Sequence, residues 1–384
     1  MPWAGASAHA PDDLSTYTYT QIADSSGPFS SFIGASINNE RTVAFLARPR
    51  AGGEAIVAGS GGPTTTLYDT TSRFSAFGSA SPAINDRGDV AFVAGLTAGG
   101  EGVFVGSGGP VTTIADTSGR FSDFINQRPP INNMGVVAFS AVLRMGGEGV
   151  FVGSGRPVTT IADTSGPFNN FSFQSINQNG TVAFAAENVI AAHNAIITGT
   201  GGPVVILYDS SGRFQGFRPP DINNMGTVAF FAQLDDFSTG IFAGSGGPVT
   251  TIATTSHSFS PFNDPAINDQ GTVAFTAFLD SVGMGIFTGS DPIADRVIAT
   301  GDSLFGSTVV SVDFNPYGLN DTGQIAFAAT LADGRSVIAR ADRVIPEPST
   351  LMLIGLGTVS LFGLWFAAAA RQHGLASDVL RERL

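Results

Sequence analysis

The chain has 384 residues, no Cys, and 18 Lys and Arg residues that are all Arg, against 31 Asp and Glu residues. Without Cys there are no disulfides, no thiolate nucleophile, no Cys-ligated zinc and no iron–sulfur cluster, and without Lys there is no Schiff base and no phosphate-loop lysine. A formal net charge of -13 argues against nucleic acid as a partner, because nucleic-acid binding requires a basic surface.

The first 14 residues end in a pattern that resembles a cleavage site. They have neither a basic stretch nor an apolar core, yet Ala8-His9-Ala10 has the form of a signal-peptidase site. We therefore predict that residues 1–14 are the remnant of a signal peptide whose start lies upstream of Met1. If the chain instead starts at Met1, we expect the rest of it to be cytoplasmic on a C-terminal anchor.

From residue 15 to residue 344 the chain repeats one unit seven times. Each copy begins with an Asn after an apolar residue, and Val-Ala-Phe or Ile-Ala-Phe starts five residues later. The anchors, spaced by 45 to 52 residues, are Asn38, Asn85, Asn132, Asn177, Asn223, Asn268 and Asn320. Four-stranded units of this length are typical of β-propeller blades.

One full copy, residues 83–124, contains four short apolar stretches separated by Gly, Pro, Asn and Asp. Each is too short for a three-turn helix and is rich in β-branched and aromatic residues, so we predict four strands. The first ends near Ile84, and the others cover 90–96, 103–106 and 111–116. Phe pairs such as Phe121 and Phe124 are expected to return the chain to the next inner strand and to pack between blades.

The two ends of the repeat region predict a closed ring. After the third strand of the seventh copy the chain runs into Pro346, whereas residues 19–29 match the fourth strand at 111–121 with no blade before them. An N-terminal strand would therefore complete the seventh blade and remove the open edges. We predict an all-β, seven-bladed β-propeller. An open β-solenoid is the alternative, and it leaves residues 19–29 unexplained.

Three recurring polar segments predict turns, although each has a functional alternative. The Asn-x-x-Gly segment resembles the start of a calcium loop but lacks the remaining ligands. The Asp that closes the fourth strand is replaced by Thr254 and Thr300 in two copies, which favours a turn over a ring of metal ligands. The Gly-Ser-Gly-Gly-Pro loop joins two strands, unlike a phosphate loop. We predict no metal and no cofactor.

Acidic residues are expected to share one end of the propeller. In an up-and-down sheet, the turn between strands two and three lies at the same end as the connection after strand four. Acids occupy these two places at Glu54, Glu101, Glu148, Asp69, Asp116, Asp163 and Asp209. They predict either a solvated acidic rim or a face that binds cations or glycans.

No catalytic constellation is evident, and we nominate no catalytic residue. None of the four His has a second His or a carboxylate at ligand spacing on the same element. An acidic pair assembled across blades could still make a glycosidase. Two hypotheses follow: a binding or scaffold propeller, and a carbohydrate-active hydrolase or lyase that uses acids on one face.

The C-terminal segment, residues 345–384, contains a predicted transmembrane helix. Residues 351–370 carry no charge and are long enough to cross a bilayer. They follow Pro346-Glu347-Pro348 and precede Arg371. This arrangement resembles the PEP-CTERM protein-sorting signal of Gram-negative bacteria, and the repeats are similar to those of anchored bacterial surface proteins.

The resemblance to the sorting signal implies a destination and a partner. In that family the tripeptide, the helix and the following Arg are recognised by exosortase, a membrane protease-transpeptidase, so Pro346, Glu347, Pro348 and Arg371 would form the recognised motif. The protein would pass to the cell surface or extracellular matrix. The expected partners are therefore exosortase, the membrane through helix 351–370 and exopolysaccharide, and not nucleic acid.

Overall fold

Seven antiparallel sheets form a seven-bladed β-propeller in the computed structural model, which confirms the predicted all-β fold. The structure describes residues 17–78, 81–125, 127–155, 157–255, 259–279 and 283–344. Within these residues no helix is long and apolar enough to cross a membrane. The predicted remnant 1–14 and helix 351–370 lie outside the described residues, and the predicted domain boundaries stay predictions.

The chain begins with β1 (Tyr17–Asp24), and seven blades follow, each numbered from its innermost strand outward. Blade 1 contains β2 (Phe29–Ile37), β3 (Val43–Pro49), β4 (Ala55–Gly59) and β5 (Thr65–Asp69). Blade 2 contains β6 (Phe74–Phe77), β7 (Ala83–Ile84), β8 (Val90–Leu96), β9 (Glu101–Gly106) and β10 (Thr112–Asp116). Blade 3 contains β11 (Phe121–Ile125), β12 (Val137–Leu143), β13 (Glu148–Gly153) and β14 (Thr159–Asp163).

The remaining blades repeat this order. Blade 4 contains β15 (Phe168–Asn169), β16 (Gln174–Ile176), β17 (Val182–Asn188), β18 (His193–Gly199) and β19 (Val205–Asp209). Blade 5 contains β20 (Phe214–Phe217), β21 (Asp221–Ile222), β22 (Val228–Leu234), β23 (Thr239–Gly244) and β24 (Thr250–Thr254). Blade 6 contains β25 (Phe259–Phe262), β26 (Ala266–Ile267), β27 (Val273–Leu279), β28 (Gly283–Phe287) and β29 (Arg296–Ala299). Blade 7 contains β30 (Ser303–Leu304), β31 (Ser307–Asp313), the 3-10 helix Pro316–Gly318, β32 (Ile325–Leu331) and β33 (Ser336–Arg343).

The N-terminal strand closes the ring as predicted. β1 pairs antiparallel with β33, from Tyr17 opposite Arg343 to Asp24 opposite Val337. It therefore supplies the fourth strand of blade 7, whose other strands come from the end of the repeat region. This pairing excludes the open solenoid, because no blade is left with an unfilled outer position.

The strands of the copy at 83–124 lie close to their predicted places, with one difference. β7 ends at Ile84, β8 covers the predicted 90–96, and β9 and β10 include most of the predicted third and fourth strands. The segment of Phe74 and Phe77, however, is not merely a connection. It forms β6, which pairs with β8, so the innermost strand consists of two short parts.

Phenylalanine fills the space between the blades. The Phe of each second-strand Val-Ala-Phe or Ile-Ala-Phe segment is at most 3% exposed. Phe74 and Phe77 pack in one cluster with Ala44 and Leu46 of the preceding blade, which confirms that the paired Phe residues lie between blades. Burying each ring contributes roughly 1.5–3 kcal/mol, so the core is large enough to stand without disulfides.

Candidate functional site

The seven anchor Asn side chains form a closed ring of hydrogen bonds around the propeller axis. Each Nδ2 donates to the backbone carbonyl of an anchor in the neighbouring blade, at 2.9 to 3.2 Å. The ring starts with Asn38 donating to Asn85 and closes with Asn320 donating to Asn38. The Oδ1 atoms meanwhile accept from amides of their own turns, as Asn85 does from Arg87 and Asp89. Only this second role was predicted from the sequence.

A second closed ring lies beside the first, one residue further along each turn. The backbone N–H of each member donates to a side-chain oxygen of its neighbour, at 2.7 to 3.0 Å. Its members are Asn39, Asp86, Asn133, Gln178, Asn224, Asp269 and Asp321. We call the end of the propeller formed by these seven turns the Asn end.

An axial cavity of about 160 Å³ extends from the rings to a tyrosine. Tyr317 of blade 7 reaches across the axis, and its hydroxyl lies 3.0 Å from the Arg128 carbonyl in blade 3 and 3.4 Å from that of Gln174 in blade 4. These two blades lie opposite blade 7 in a ring of seven. Burial raises the pKa of Tyr317, so its hydroxyl stays protonated and able to donate.

Asp221 is a buried carboxyl in this cavity that sequence reasoning missed. Burial raises its pKa to about 7, although its hydrogen bonds from the Ile267 and Ile222 amides, at 2.8 and 3.0 Å, act in the opposite direction. A signal for it exists in the repeats, because the residue before the aliphatic–Asn pair is Ser, Ala, Pro or Gly in every other copy. Within the described residues, no three His, Asp or Glu side chains are placed to hold a metal ion.

The acidic residues predicted to share an end do lie together, at the end opposite the Asn turns. The Thr70 amide, directly after Asp69, donates to the carbonyl of Glu54 at 3.1 Å, and Thr117 and Thr164 repeat this contact with Glu101 and Glu148. In these three blades the fourth-strand Asp therefore lies close to the Glu of the same blade, and in blade 4 the Ser210 amide, directly after Asp209, makes the same contact with the Asn194 carbonyl at 2.9 Å. We call this the Glu end.

The three glutamates at the Glu end bind backbone of the following blade. Glu54 accepts a hydrogen bond from the Phe77 amide at 2.9 Å, and Glu101 accepts one from Phe124 at 2.8 Å. Glu148 likewise accepts from Asn170 at 3.1 Å. Burial and a hydrogen bond with Asp123 raise the pKa of Glu101. These carboxylates thus join neighbouring blades.

The aspartates of the fourth strands cap turns, as predicted. Asp69, Asp116, Asp163 and Asp209 each accept, through Oδ1, from the amide two residues later at 3.0 Å. The hydroxyl of the same residue donates to the same oxygen, and this bond lowers the pKa of Asp69 and Asp209. That the seven acids bind cations or glycans stays a prediction.

The predicted sorting residues, Pro346, Glu347, Pro348 and Arg371, lie outside the described residues. Residues 344–372 match the PEP-CTERM protein-sorting motif, which confirms the resemblance drawn from the sequence. The motif implies that the protein is exported, sorted by exosortase and located at the cell surface or membrane of a Gram-negative bacterium.

The repeat region matches a family as well. Residues 26–316 and 290–352 match DUF7453, which is described as a family of unknown function. The chain belongs to this family. The DUF7453 match begins after β1, so the strand that closes the ring lies before the matched region. No curated protein matches the chain.

Several solved structures are similar to this DUF7453 propeller. An oligogalacturonate lyase from Vibrio parahaemolyticus has a TM-score of 0.56 and 10% identity, covering 86% of this chain and 97% of the lyase. An acylaminoacyl peptidase from Pyrococcus horikoshii has a TM-score of 0.54 and 10% identity, covering 85% of this chain and 54% of the peptidase. TolB from Acinetobacter baumannii has a TM-score of 0.43 and 15% identity, with 68% of this chain and 62% of TolB covered. The chain thus spans less than two thirds of the latter two, and at these identities the likeness shows the fold alone.

Proposed function

We propose that this DUF7453 protein is a binding or scaffold propeller that exosortase delivers to the cell surface or the extracellular matrix. The observation that carries the proposal is the position of the sorting motif. It begins at residue 344, directly after β33 ends at Arg343, so the signal follows the last strand of the propeller. A domain whose fold is complete before the signal is suited to be sorted as an intact unit.

The construction of the ring supports a scaffold role. Two closed rings of hydrogen bonds join all seven blades at the Asn end, and Glu carboxylates join blades at the Glu end. Residues 345–384 hold three Arg and three acids, so the net charge of -13 belongs to the rest of the chain. A rigid acidic ring of repeated surfaces fits a protein that presents several equivalent sites to one extended partner.

Recognition by exosortase is proposed to use Pro346, Glu347, Pro348 and Arg371. The test replaces Pro346-Glu347-Pro348 by three Ala in the full chain and fractionates the cells. We expect the parent protein in the surface or extracellular fraction and the variant in the inner membrane. Replacing Ser349 and Thr350 by Ala is the matched control and should leave the distribution unchanged. Identical fractions for the parent and the Pro-Glu-Pro variant would reject the proposal.

A carbohydrate-active hydrolase or lyase remains the second candidate, and Asp221 is the observation that favours it. A carboxyl with a pKa of about 7 in a cavity has the properties of a general acid at neutral pH. Incubation of the purified chain with neutral and acidic polysaccharides tests this candidate through the release of reducing ends or unsaturated products. Product formation that Asp221→Asn abolishes would support an enzyme. Equal product from both proteins would contradict the role of Asp221, and no product from the parent would contradict an enzyme.

A further inference from the structure

In the part of the chain that the structure describes, we identify three grooves of the same construction at the outer rim of the propeller. Each lies between the fourth strand of one blade and the loop that leads to the fourth strand of the next. The grooves join blades 1 and 2, blades 2 and 3, and blades 4 and 5, with volumes of about 440, 360 and 390 Å³. The repetition shows that they follow from the repeat rather than from local irregularity.

Each groove contains an Arg at one repeat position, directly before the first Phe of the innermost strand. These residues are Arg73, Arg120 and Arg213. In the copies that begin blades 1 and 4, Pro28 and Pro167 occupy this position. The three grooves therefore coincide with the Arg-bearing copies of the repeat.

Aromatic rings hold each guanidinium in place. That of Arg120 lies 4.9 Å from the centroid of Phe121 and 4.6 Å from that of Phe151. Arg73 and Arg213 lie over equivalent Phe pairs at 4.8 to 5.7 Å. Such stacking fixes a guanidinium whose five N–H groups can donate in a fixed geometry.

Most of these donors are available to a ligand. One N–H of Arg120 donates to the Thr160 hydroxyl at 3.0 Å, and one of Arg73 donates to Thr113 at 3.3 Å. Among the described residues, none of the three Arg side chains forms a salt bridge. All three are exposed. Each groove thus exposes to solvent a guanidinium group that is fixed in position by its Phe neighbours.

A carboxylate accompanies each guanidinium. Asp69, Asp116 and Asp209 line the same three grooves, and all three belong to the predicted glycan-binding face. Turn hydrogen bonds lower the pKa of Asp69 and Asp209 below the ordinary value of 3.8, so both carboxyls are ionised at neutral pH. Among the described residues that line each groove, one positive and one negative group balance, and the carboxylate disfavours an acidic ligand.

A donor and an acceptor that line the same groove can bind two hydroxyl groups of one sugar. Each groove also has an aliphatic wall, provided by Val111, Val158 or Val249, against which the C–H groups of a sugar ring can pack. We infer that the three grooves, which we call the rim grooves, bind neutral hexose units of a polysaccharide, one unit in each groove. The Arg donates to one hydroxyl and the Asp accepts from its neighbour.

Occupying several grooves at once should make the binding of a polysaccharide tighter than that of a single sugar. A single hexose in an open groove makes few contacts, whereas a polymer that occupies two or three grooves of one rigid ring gains avidity of roughly 10²–10⁴. This inference deepens the binding function proposed above and rests on it for the source of the ligand. Failure of the proposed sorting and failure of sugar binding can be distinguished, because sorting is measured in cells and groove binding is measured on the purified chain.

The experiment titrates the purified full chain in detergent with methyl glycosides of glucose, galactose and mannose, and then with the matching neutral polysaccharides and polygalacturonate. We expect three sites per chain for one neutral hexose and tighter binding of its polymer. Arg120→Ala should leave two sites, and the triple variant of Arg73, Arg120 and Arg213 to Ala should weaken polymer binding at least 100-fold. Arg87→Ala, at the Asn end, is the control and should bind like the parent.

Conservative variants keep the test decisive if the triple variant folds poorly. Replacing the three Arg by Lys retains the charge but loses the planar donors, so polymer binding should fall about tenfold. Asp69→Asn combined with Asp209→Asn should weaken neutral sugar binding and admit polygalacturonate. The inference is overturned if no neutral glycoside binds, if the stoichiometry is one, if polygalacturonate binds the parent more tightly, or if the Arg variants bind like the parent.

Discussion

The Nδ2 of Asn320 donates a hydrogen bond to the backbone carbonyl of Asn38 at 3.0 Å, across 282 positions of the sequence. This bond joins the last blade to the first and completes the ring of anchors. Because every anchor is buried, each side chain must find its partners within the protein. The anchors therefore hold the ring closed as well as shaping their own turns.

Removing one anchor should destabilise the whole propeller. Asn132→Ala removes the bond to the Asn177 carbonyl and the Oδ1 acceptor of the Met134 and Val136 amides. Leaving buried polar groups unpaired costs roughly 1–3 kcal/mol each, so we expect a loss of at least about 2 kcal/mol in the free energy of unfolding. Denaturant unfolding measures it. Gln270→Ala, at an exposed turn position, is the control, and a loss equally small in both variants would count against the ring.

The backbone of Arg41, at the Gly position of the Asn-x-x-Gly segment in the first copy, is strained, and a substitution should relieve this strain. Arg41 has a φ of 65° where the six other copies have Gly at 77° to 79°. A side chain in the left-handed region costs roughly 1–2 kcal/mol, part of which the flexibility of Gly in the unfolded chain offsets. We expect Arg41→Gly to raise the free energy of unfolding by about 0.5–1 kcal/mol, and Gly180→Ala to lower it. A destabilised Arg41→Gly would show that the side chain has contacts worth more than the strain.

The closing strand should be essential to folding. β1 buries Tyr17 and Ile22 and pairs with β33 along its length. A chain lacking residues 1–24 leaves β33 unpaired at its outer edge, so we expect loss of cooperative unfolding and aggregation. A chain lacking only residues 1–14 should unfold like the parent, and a peptide of residues 15–27 should restore the truncated chain. Normal folding without β1 would contradict its role.

Asp221 should make stability depend on pH. Its folded pKa of about 7 lies above the ordinary value of 3.8, so the folded protein keeps a proton that the unfolded chain releases. Its contribution is greatest below about pH 4 and declines as the pH rises to about 7, by up to roughly 4 kcal/mol. We expect Asp221→Asn to remove this slope in unfolding free energy between pH 4 and 7, whatever its absolute stability. If the unfolding free energies of the two proteins depend on pH with the same slope, the raised pKa does not belong to Asp221.

The sequence predicted the blades and the Phe packing between them well, and the hydrogen bonds between blades poorly, for a physical reason. Periodicity identifies equivalent residues, so it located the anchors, the strands and the strand that closes the ring. It does not say which group of one blade touches the next, since these partners are backbone atoms with no mark in the sequence. The Phe124 amide that binds Glu101 is one example. The remaining sequence signal for the candidate sites lies in residues that differ between the copies of the repeat, such as Asp221, Arg73, Arg120 and Arg213.

The most direct test of export is the labelling of intact cells. An epitope inserted after Met145, which is 98% exposed in the turn between β12 and β13, should leave the propeller folded. We predict that antibody labels intact cells, or the medium, when the parent carries the tag, and that replacing Pro346-Glu347-Pro348 by Ala abolishes this label while total protein stays constant. Labelling that appears only after the cells are lysed would contradict export of the propeller to the cell surface.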